Sequence, residues 1–287
     1  MPQAKPKHEK TYPPVMLENT QLRQIHSKIT NRDYLLYIGY PWSYQTEPER
    51  KYPVVYHTDA YWSFPLFNSL GGLWYDKLAP EYIIVGIGYA GKNVDYNKER
   101  MYELSPSRQD YDWAADMTCP MGGARKFLDA IKMEIIPYVE EHTRADTSFR
   151  ALAGASMGGL FSLFAMYEEP RLWQGIIAVS PVVEWDHCWL FHRESQLRAQ
   201  VMGNNYDTSK YDFLPRLFMS VGGAEDAPFI GGIKAFNEII SSAGYANFEH
   251  EFRIIEGEGH ASNCPESYTR GLRFIFKEEV EQQKSSQ

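Results

Sequence analysis

One stretch decides the fold: Phe149-Arg150-Ala151-Leu152-Ala153-Gly154-Ala155-Ser156-Met157-Gly158-Gly159. Its first part has the composition of a buried β-strand, and the apolar residues that follow Gly159 are typical of a helix. Between them, residues 154–158 match the pattern G-x-S-x-G, in which a serine sits on a sharp strand-to-helix turn with its hydroxyl exposed. Side chains at the flanking glycines would collide with the neighbouring strand and helix. The stretch therefore predicts a nucleophilic serine, Ser156, at the carboxyl end of a strand.

Strands and helices alternate on both sides of this stretch. Short apolar or β-prone runs predict strands at 33–38, 52–57, 82–87, 149–153, 175–179, 217–221 and 248–255. Helical periodicity or composition predicts helices at 124–141, 159–168, 229–243 and 266–281. Strands that alternate with helices of this length imply right-handed crossovers and a mostly parallel sheet. The predicted fold class is α/β, an α/β-hydrolase fold with helices on both faces of the central sheet.

The chain of 287 residues contains no Gly/Ser/Pro-rich linker, so we predict a single domain over residues 1–287. Residues 1–14 are polar and proline-bearing and are expected to form a flexible tail. Residues 90–120 are polar and aromatic and have neither strand nor helix periodicity. A loop of that length in a compact domain is usually functional. We therefore expect this segment to be a lid or a wall of the cleft.

A serine hydroxyl needs a base to take its proton, and in this fold the base follows the acid along the chain. The four histidines after Ser156 are His187, His192, His250 and His260. His260 stands in a glycine-bearing loop beyond the last predicted strand, where a catalytic histidine is expected, whereas His250 lies within a strand pattern. The acid should follow the strand at 217–221. Two adjacent carboxylates stand there, Glu225 and Asp226, and position alone does not choose between them.

Composition excludes several classes of function. The net charge is −8 and no basic patch is visible, so nucleic-acid binding is not expected. The chain lacks an apolar run of about 18 residues that could span a bilayer, and it shows no pattern of a signal peptide. Its three cysteines are far apart, so a disulfide framework is not expected. These features favour a cytoplasmic protein that has no membrane partner.

Two other patterns are set aside. Gly86-Ile87-Gly88-Tyr89-Ala90-Gly91 satisfies G-x-G-x-x-G, but a dinucleotide site also needs a helix that begins at those glycines, and the residues that follow are polar without helical periodicity. Asp186, His187, Cys188 and His192 match no standard zinc spacing. We expect the beginning of a helix on the rim of the cleft there, and neither a metal nor a cofactor.

The serine motif, the G-x-x-E of Gly222 to Glu225 and the G-x-G-H of Gly257 to His260 together resemble the esterase D superfamily. The resemblance covers about residues 26–276 and is greatest to the enterochelin-esterase-like branch. It implies that Glu225 is the acid, and that the backbone N–H groups of Met157 and Tyr61 form the oxyanion hole. Ala155 stands where the branch commonly has histidine, and Ala60 stands where it usually has glycine. These departures leave the core chemistry intact and the ester substrate undetermined.

The resemblance also implies two pocket residues, because Arg100 and Trp185 lie in stretches that match the family. The predicted activity is hydrolysis of a small-molecule carboxylic ester through an acyl-enzyme, without metal or cofactor. Two alternatives remain at this point: an acyltransferase that uses the same residues, and a non-catalytic binding protein on this fold. The sequence also leaves open whether the chain forms a homodimer.

Overall fold

The computed structural model describes residues 15–109, 119–202, 214–245 and 247–285. The predicted tail, residues 1–14, lies outside the described residues, and so do residues 110–118 of the predicted lid.

The centre of the molecule is one eight-stranded sheet in the order β1-β2-β4-β3-β5-β6-β7-β8. The strands β1 and β2 pair antiparallel, as do β2 and β4, and all other neighbouring strands are parallel. The strands are β1 (Thr20–Ser27), β2 (Arg32–Gly39), β3 (Tyr52–His57), β4 (Ile83–Tyr89), β5 (Ala145–Ala155), β6 (Gly175–Val179), β7 (Arg216–Gly222) and β8 (His250–Ile255).

Helices connect the parallel strands and cover the sheet. A π-helical turn, Ile131–Ile135, joins the helix Ala124–Ala130 to the helix Ile136–His142, and the three segments together cover the helix predicted at 124–141. The helices are α1 (Ala60–Leu70), α2 (Tyr96–Glu103), α3 (Ala124–Ala130), α4 (Ile136–His142), α5 (Met157–Glu168), α6 (Trp185–Met202), α7 (Ala227–Ser241), α8 (Cys264–Ile275) and α9 (Lys277–Ser285).

The core lies in two layers, one on each face of the sheet, because successive side chains of a strand point to opposite faces. In β5, Leu152 packs into one layer, whereas Ala151 and Ala153 pack into the other. The first layer holds α3 to α7, and the second holds α1 and α8. The strand β4 is buried along its whole length, which is typical of a strand covered on both faces. The predicted α/β fold with helices on both faces is confirmed.

Three elements were not predicted. The edge strand β1 is mostly polar and partly exposed, so it lacks the apolar signal of a central strand. The helix α1 is rich in aromatic residues and contains Pro65, which normally argues against a helix. The helix α2 lies within the segment 90–120 and has little apolar surface; Asp95 caps it by accepting a hydrogen bond from the Lys98 N–H at 3.2 Å. The expectation that this whole segment lacks helix was therefore wrong.

No helix within the described ranges is both long and apolar enough to cross a membrane. The loops after β3, β5, β7 and β8 all leave the same edge of the sheet, because these strands are parallel. The carboxyl edge of an open parallel sheet is where ligands bind in this class of fold. The predicted residues Ser156, Glu225 and His260 follow β5, β7 and β8.

Candidate active site

Ser156 lies at the turn between β5 and α5, as the motif predicts. Its backbone is strained, with φ 58° and ψ −118°, and its N–H donates to the Val179 carbonyl at 2.9 Å. The flanking glycines are required by space: a Cβ on Gly154 would collide with the backbone of Gly158, and a Cβ on Gly158 would collide with the hydroxyl of Thr58. The tight turn thus exposes the serine hydroxyl at the beginning of a helix.

His260 lies in the turn after β8, and its side chain is 49% exposed. Its Nδ1 donates to Oε2 of Glu225 at 2.5 Å, and its ring makes an edge contact with Phe229 at 5.6 Å between centroids. Because Nδ1 is engaged with a carboxylate, Nε2 is the nitrogen that is free to act as an acceptor. The arrangement is that of a histidine oriented by an acid.

The structure distinguishes the two candidate acids. The side chain of Glu225 is 3% exposed, and its other oxygen, Oε1, accepts from the Gly222 N–H at 2.8 Å. Asp226 is exposed and occupies the N-cap position of α7, without a capping hydrogen bond from its side chain. Glu225, and not Asp226, is therefore the carboxylate in contact with His260.

The two expected oxyanion donors lie at the beginnings of two helices. Met157 is the first residue of α5 and Tyr61 is the second residue of α1. The first N–H groups of a helix have no partner within it, so neither N–H is used inside its own helix. Asp59, which precedes α1, adopts the left-handed conformation with φ 56° and turns the chain into that helix. The Tyr61 ring stacks on Tyr96 at 4.1 Å between centroids.

Ser156 and His260 share one cavity of about 490 Å³. Its wall is mixed: Trp62 and Tyr268 are aromatic, Cys264 is a thiol, and Asp59 and Arg100 are charged. Trp62 is 62% exposed, so its ring is accessible to a ligand. Sequence reasoning did not single out Trp62, Cys264 or Tyr268, because aromatic residues and lone cysteines are as common in cores as in sites.

Arg100 of α2 reaches the cavity and is paired with Asp59. Its Nε and one Nη donate to the two carboxylate oxygens, each at 2.9 Å, and its guanidinium lies 5.6 Å from the centre of the Trp62 ring. Burial opposes the charge on Arg100, but the hydrogen bonds and charge of Asp59 outweigh it, so the pKa of the guanidinium is raised. The segment 90–120 thus contributes a cationic group to the wall of the cavity.

Trp185 is not among the described residues that line this cavity. Its side chain is 2% exposed, and its indole N–H donates to the Ser107 carbonyl at 3.1 Å. The expectation of a pocket residue at this position is corrected: Trp185 packs in the core, where a large aromatic side chain supports the loop that contains Ser107.

The two patterns set aside have structural explanations. Gly86 and Gly88 lie within β4, where a Cβ on Gly86 would collide with the His57 ring and with Ala60. Asp186, His187 and Cys188 all have positive φ at the beginning of α6. Across the described parts of the chain, no group of three His, Cys, Asp or Glu side chains could hold a metal ion.

Known proteins with similar sequences and structures include esterases. Residues 27–214 match the esterase family, whose description is "Putative esterase". The ferri-bacillibactin esterase of Bacillus subtilis is 25% identical over 282 residues, which cover 91% of this chain and 90% of that protein. The siderophore triacetylfusarinine C esterase of Aspergillus fumigatus is 27% identical over 223 residues, covering 75% and 71%. The solved structure of the BES protein from Bacillus cereus superposes with a TM-score of 0.80 at 26% identity, covering 93% of this chain and 99% of that chain.

The family match spans more than half of the sequence, and it includes the nucleophile turn and the strands on both sides of it. The named relatives are esterases that match most of the chain. The chain therefore belongs to the esterase family and is a carboxylic ester hydrolase built on an α/β-hydrolase fold.

Proposed function

We propose that the protein hydrolyses carboxylic esters with a Ser156–His260–Glu225 triad through an acyl-enzyme intermediate. The observation that carries the proposal is the 2.5 Å contact between His260 Nδ1 and Glu225 Oε2, beside a cavity that His260 shares with Ser156. A base oriented by a buried acid, in one cavity with a serine on a strained turn, is the arrangement that can activate a hydroxyl.

In the proposed reaction, the Ser156 hydroxyl attacks the ester carbonyl while Nε2 of His260 takes its proton. The N–H groups of Met157 and Tyr61 stabilise the oxyanion of the tetrahedral intermediate. The His260 imidazolium, stabilised by Glu225, then protonates the departing alcohol and leaves an acyl group on Ser156. Water, deprotonated by His260, attacks this acyl group; the bond to Ser156 Oγ then breaks, His260 returns the proton to that oxygen, and the carboxylic acid is released.

For the substrate we propose an ester of the siderophore class, because two of the relatives are named as siderophore esterases. The cavity supports this choice. The accessible Trp62 ring, with the Arg100 guanidinium beside it, can stack on an aromatic acyl group. Ala155, which stands where the enterochelin-esterase-like branch commonly has histidine, contributes only a methyl group to the cavity wall.

We propose three further properties: the chain forms a single domain, residues 90–120 contribute to a wall of the cleft, and the protein is cytoplasmic. The second is supported by the Arg100 side chain, which lines the cavity from that segment. The variant Arg100→Met leaves the Asp59 carboxylate unpaired in the cavity wall, so its KM should rise more for anionic substrates than for neutral ones.

The triad is tested with Ser156→Ala and His260→Ala, assayed on p-nitrophenyl acetate. Each should lower kcat by on the order of 10⁴-fold or more, and the double variant should lose no more than either one, since the two residues act as a unit. Unchanged thermal unfolding serves as the control for folding. Near-normal turnover by Ser156→Ala would refute the mechanism.

The substrate class needs a separate assay. A trilactone siderophore, loaded with iron or free of it, should be cleaved with a higher kcat/KM than p-nitrophenyl butyrate. A strong preference for the aliphatic ester would contradict the siderophore proposal and leave the triad unaffected.

A further inference from the structure

A buried group of polar side chains lies behind Glu225. Ser180 and Asn263 are fully buried, although neither belongs to the triad. The Ser180 hydroxyl donates to Glu225 Oε1 at 2.5 Å. Nδ2 of Asn263 lies 3.1 Å from the Ser180 hydroxyl and 3.4 Å from the same carboxylate oxygen. The Gly222 N–H and the Ser180 hydroxyl therefore donate to Oε1 with Asn263 beside them, and Oε2 is left for His260.

Asn263 also holds the loop that carries the base. Its Nδ2 donates to the carbonyl of Gly259 at 2.7 Å and to that of His260 at 3.0 Å. Because carbonyl oxygens only accept, these two bonds fix the NH₂ end of the amide on this side, and Oδ1 accepts from the Ser267 hydroxyl at 3.0 Å. One amide thus contacts the acid's hydroxyl partner and the backbone on both sides of the base.

Ser180 is held in a conformation that few residues adopt. It follows β6 with φ 42°, in the left-handed region that favours glycine. Its N–H donates to the Ser220 carbonyl at 2.8 Å, which fixes the turn in this conformation. Strain of this kind persists where the surrounding structure demands it, and here its result is a hydroxyl directed at the carboxylate.

We propose that Ser180 and Asn263 are positioning residues that set the orientation of Glu225 and its distance to His260. The inference rests on the proposed triad, because its effect passes through Glu225. Two fixed donors on Oε1 resist rotation of the carboxylate, so Oε2 is presented to the imidazole in one geometry. Asn263 supports this arrangement from the other side, since it lies against the Ser180 hydroxyl and holds the loop of His260. Ser180 and Asn263 then act on the rate of acyl transfer and leave substrate binding in the cavity unaltered, since neither lines it.

The first test is Ser180→Gly, since glycine tolerates the positive φ and removes only the hydroxymethyl group. We expect kcat on p-nitrophenyl acetate to fall about 10- to 100-fold, as for loss of one hydrogen bond to a charged group, with KM within about twofold. The fold should persist. Asn263→Ala should lower kcat at least as much, because it also releases the loop of His260.

Ser262→Ala is the matched control. Ser262 is exposed in the same loop, and its hydroxyl accepts from the Gly259 N–H at 2.9 Å. It makes no contact with Glu225 in the structure, so kcat should stay within about twofold of the wild type. An equal loss in Ser262→Ala would mean that general loosening of the loop, and not the orientation of the acid, controls the rate.

A double-mutant cycle tests the route of the effect. In the Glu225→Gln background, Ser180→Gly should lower kcat by less than about threefold, because the carboxylate that it orients is gone. A full additional loss in that background, a rise in KM alone, or unchanged kcat in Ser180→Gly would overturn the inference. Failure of the triad is a different result: Ser156→Ala would then keep its turnover. If the rate depends on Ser156 and Glu225 but not on Ser180 or Asn263, the positioning role is refuted and the proposed triad stands.

Discussion

Replacing Glu225 with glutamine gives the sharpest test of the site, because the structure specifies which end of the new amide faces which partner. Oε1 of Glu225 accepts from the Gly222 N–H and the Ser180 hydroxyl, and Oε2 accepts from His260. A glutamine must present its carbonyl oxygen to one side and its NH₂ group to the other. The Gly222 N–H is fixed and can only donate, so we expect the carbonyl oxygen to remain on that side.

The NH₂ group then faces His260 Nδ1, where two donors cannot meet. The imidazole can relieve this by moving its proton to Nε2, which converts the base into a donor toward Ser156. An acid-to-amide change that selects the wrong tautomer costs about 10⁴-fold in a serine protease triad. The opposite orientation of the glutamine would bury an unsatisfied Gly222 donor, at about 1–3 kcal/mol. We therefore expect Glu225→Gln to lower kcat by about 10⁴-fold, with little change in KM.

The assay is hydrolysis of p-nitrophenyl acetate at one pH, with thermal unfolding measured on the same preparations. Asp226→Asn is the matched control, since Asp226 is adjacent, carries the same charge, is exposed and makes no capping hydrogen bond. It should retain kcat within about twofold. A loss of less than tenfold in Glu225→Gln, or a comparable loss in Asp226→Asn, would refute the assignment of the acid.

Two further predictions concern buried titratable groups. Burial and the charge of Glu225 raise the pKa of the Cys264 thiol to about 11. At pH 8 we therefore expect iodoacetamide to alkylate this thiol about 100-fold more slowly than free cysteine, as measured by peptide mass spectrometry. Alkylation at the rate of free cysteine would contradict this prediction. Burial lowers the pKa of His57 to about 4, against about 6.5 in the unfolded chain. Between these two pH values the histidine is protonated in the unfolded chain and neutral in the folded chain. The free energy of unfolding should therefore fall as the pH drops from 6.5 to 4, by about 2 kcal/mol at pH 5. Urea unfolding at pH 7 and pH 5 measures this loss, which should be smaller in His57→Gln. Equal losses in both proteins would show that His57 does not titrate in this way.

Much of the fold could be predicted because its central strands carry strong local signals. The strands at 52–57 and 175–179 were predicted with the bounds that the structure gives them, since both are apolar runs closed by turns. The edge strand β1 and the helix α1 escaped prediction for a physical reason. Their character comes from tertiary contacts: β1 is held by pairing with β2, and Phe64 and Phe67 of α1 pack on the sheet despite Pro65.

The site was predictable to the extent that the order of strands determines which loops meet. Ser156 and His260 follow predicted strands, so their proximity follows from a parallel sheet. The choice between Glu225 and Asp226 does not, because a turn of one residue more or less reverses which side chain faces inward. The burial of Trp185 and the hydrogen bonds of Asn263 depend on packing between distant segments, and no local pattern indicates either.

Backbone strain marks three neighbouring points of the site. Asp59, Ser156 and Ser180 all have positive φ, at 56°, 58° and 42°, and they follow β3, β5 and β6, which are adjacent in the sheet. Such conformations cost on the order of 1–3 kcal/mol each for residues other than glycine. The stability of the central sheet, which is buried on both faces, offsets this cost.

Each strained residue is fixed by partners that give its conformation a use. Arg100 holds the Asp59 carboxylate with two hydrogen bonds at the turn into α1, and Glu225 holds the Ser180 hydroxyl. The Val179 carbonyl holds the Ser156 N–H. Glycine at any of these points would relieve the strain, but it would also remove a carboxylate or a hydroxyl. Side chains therefore stand where the backbone alone favours glycine, because their oxygen atoms are the nucleophile at Ser156, the partner of the acid at Ser180 and the partner of Arg100 at Asp59.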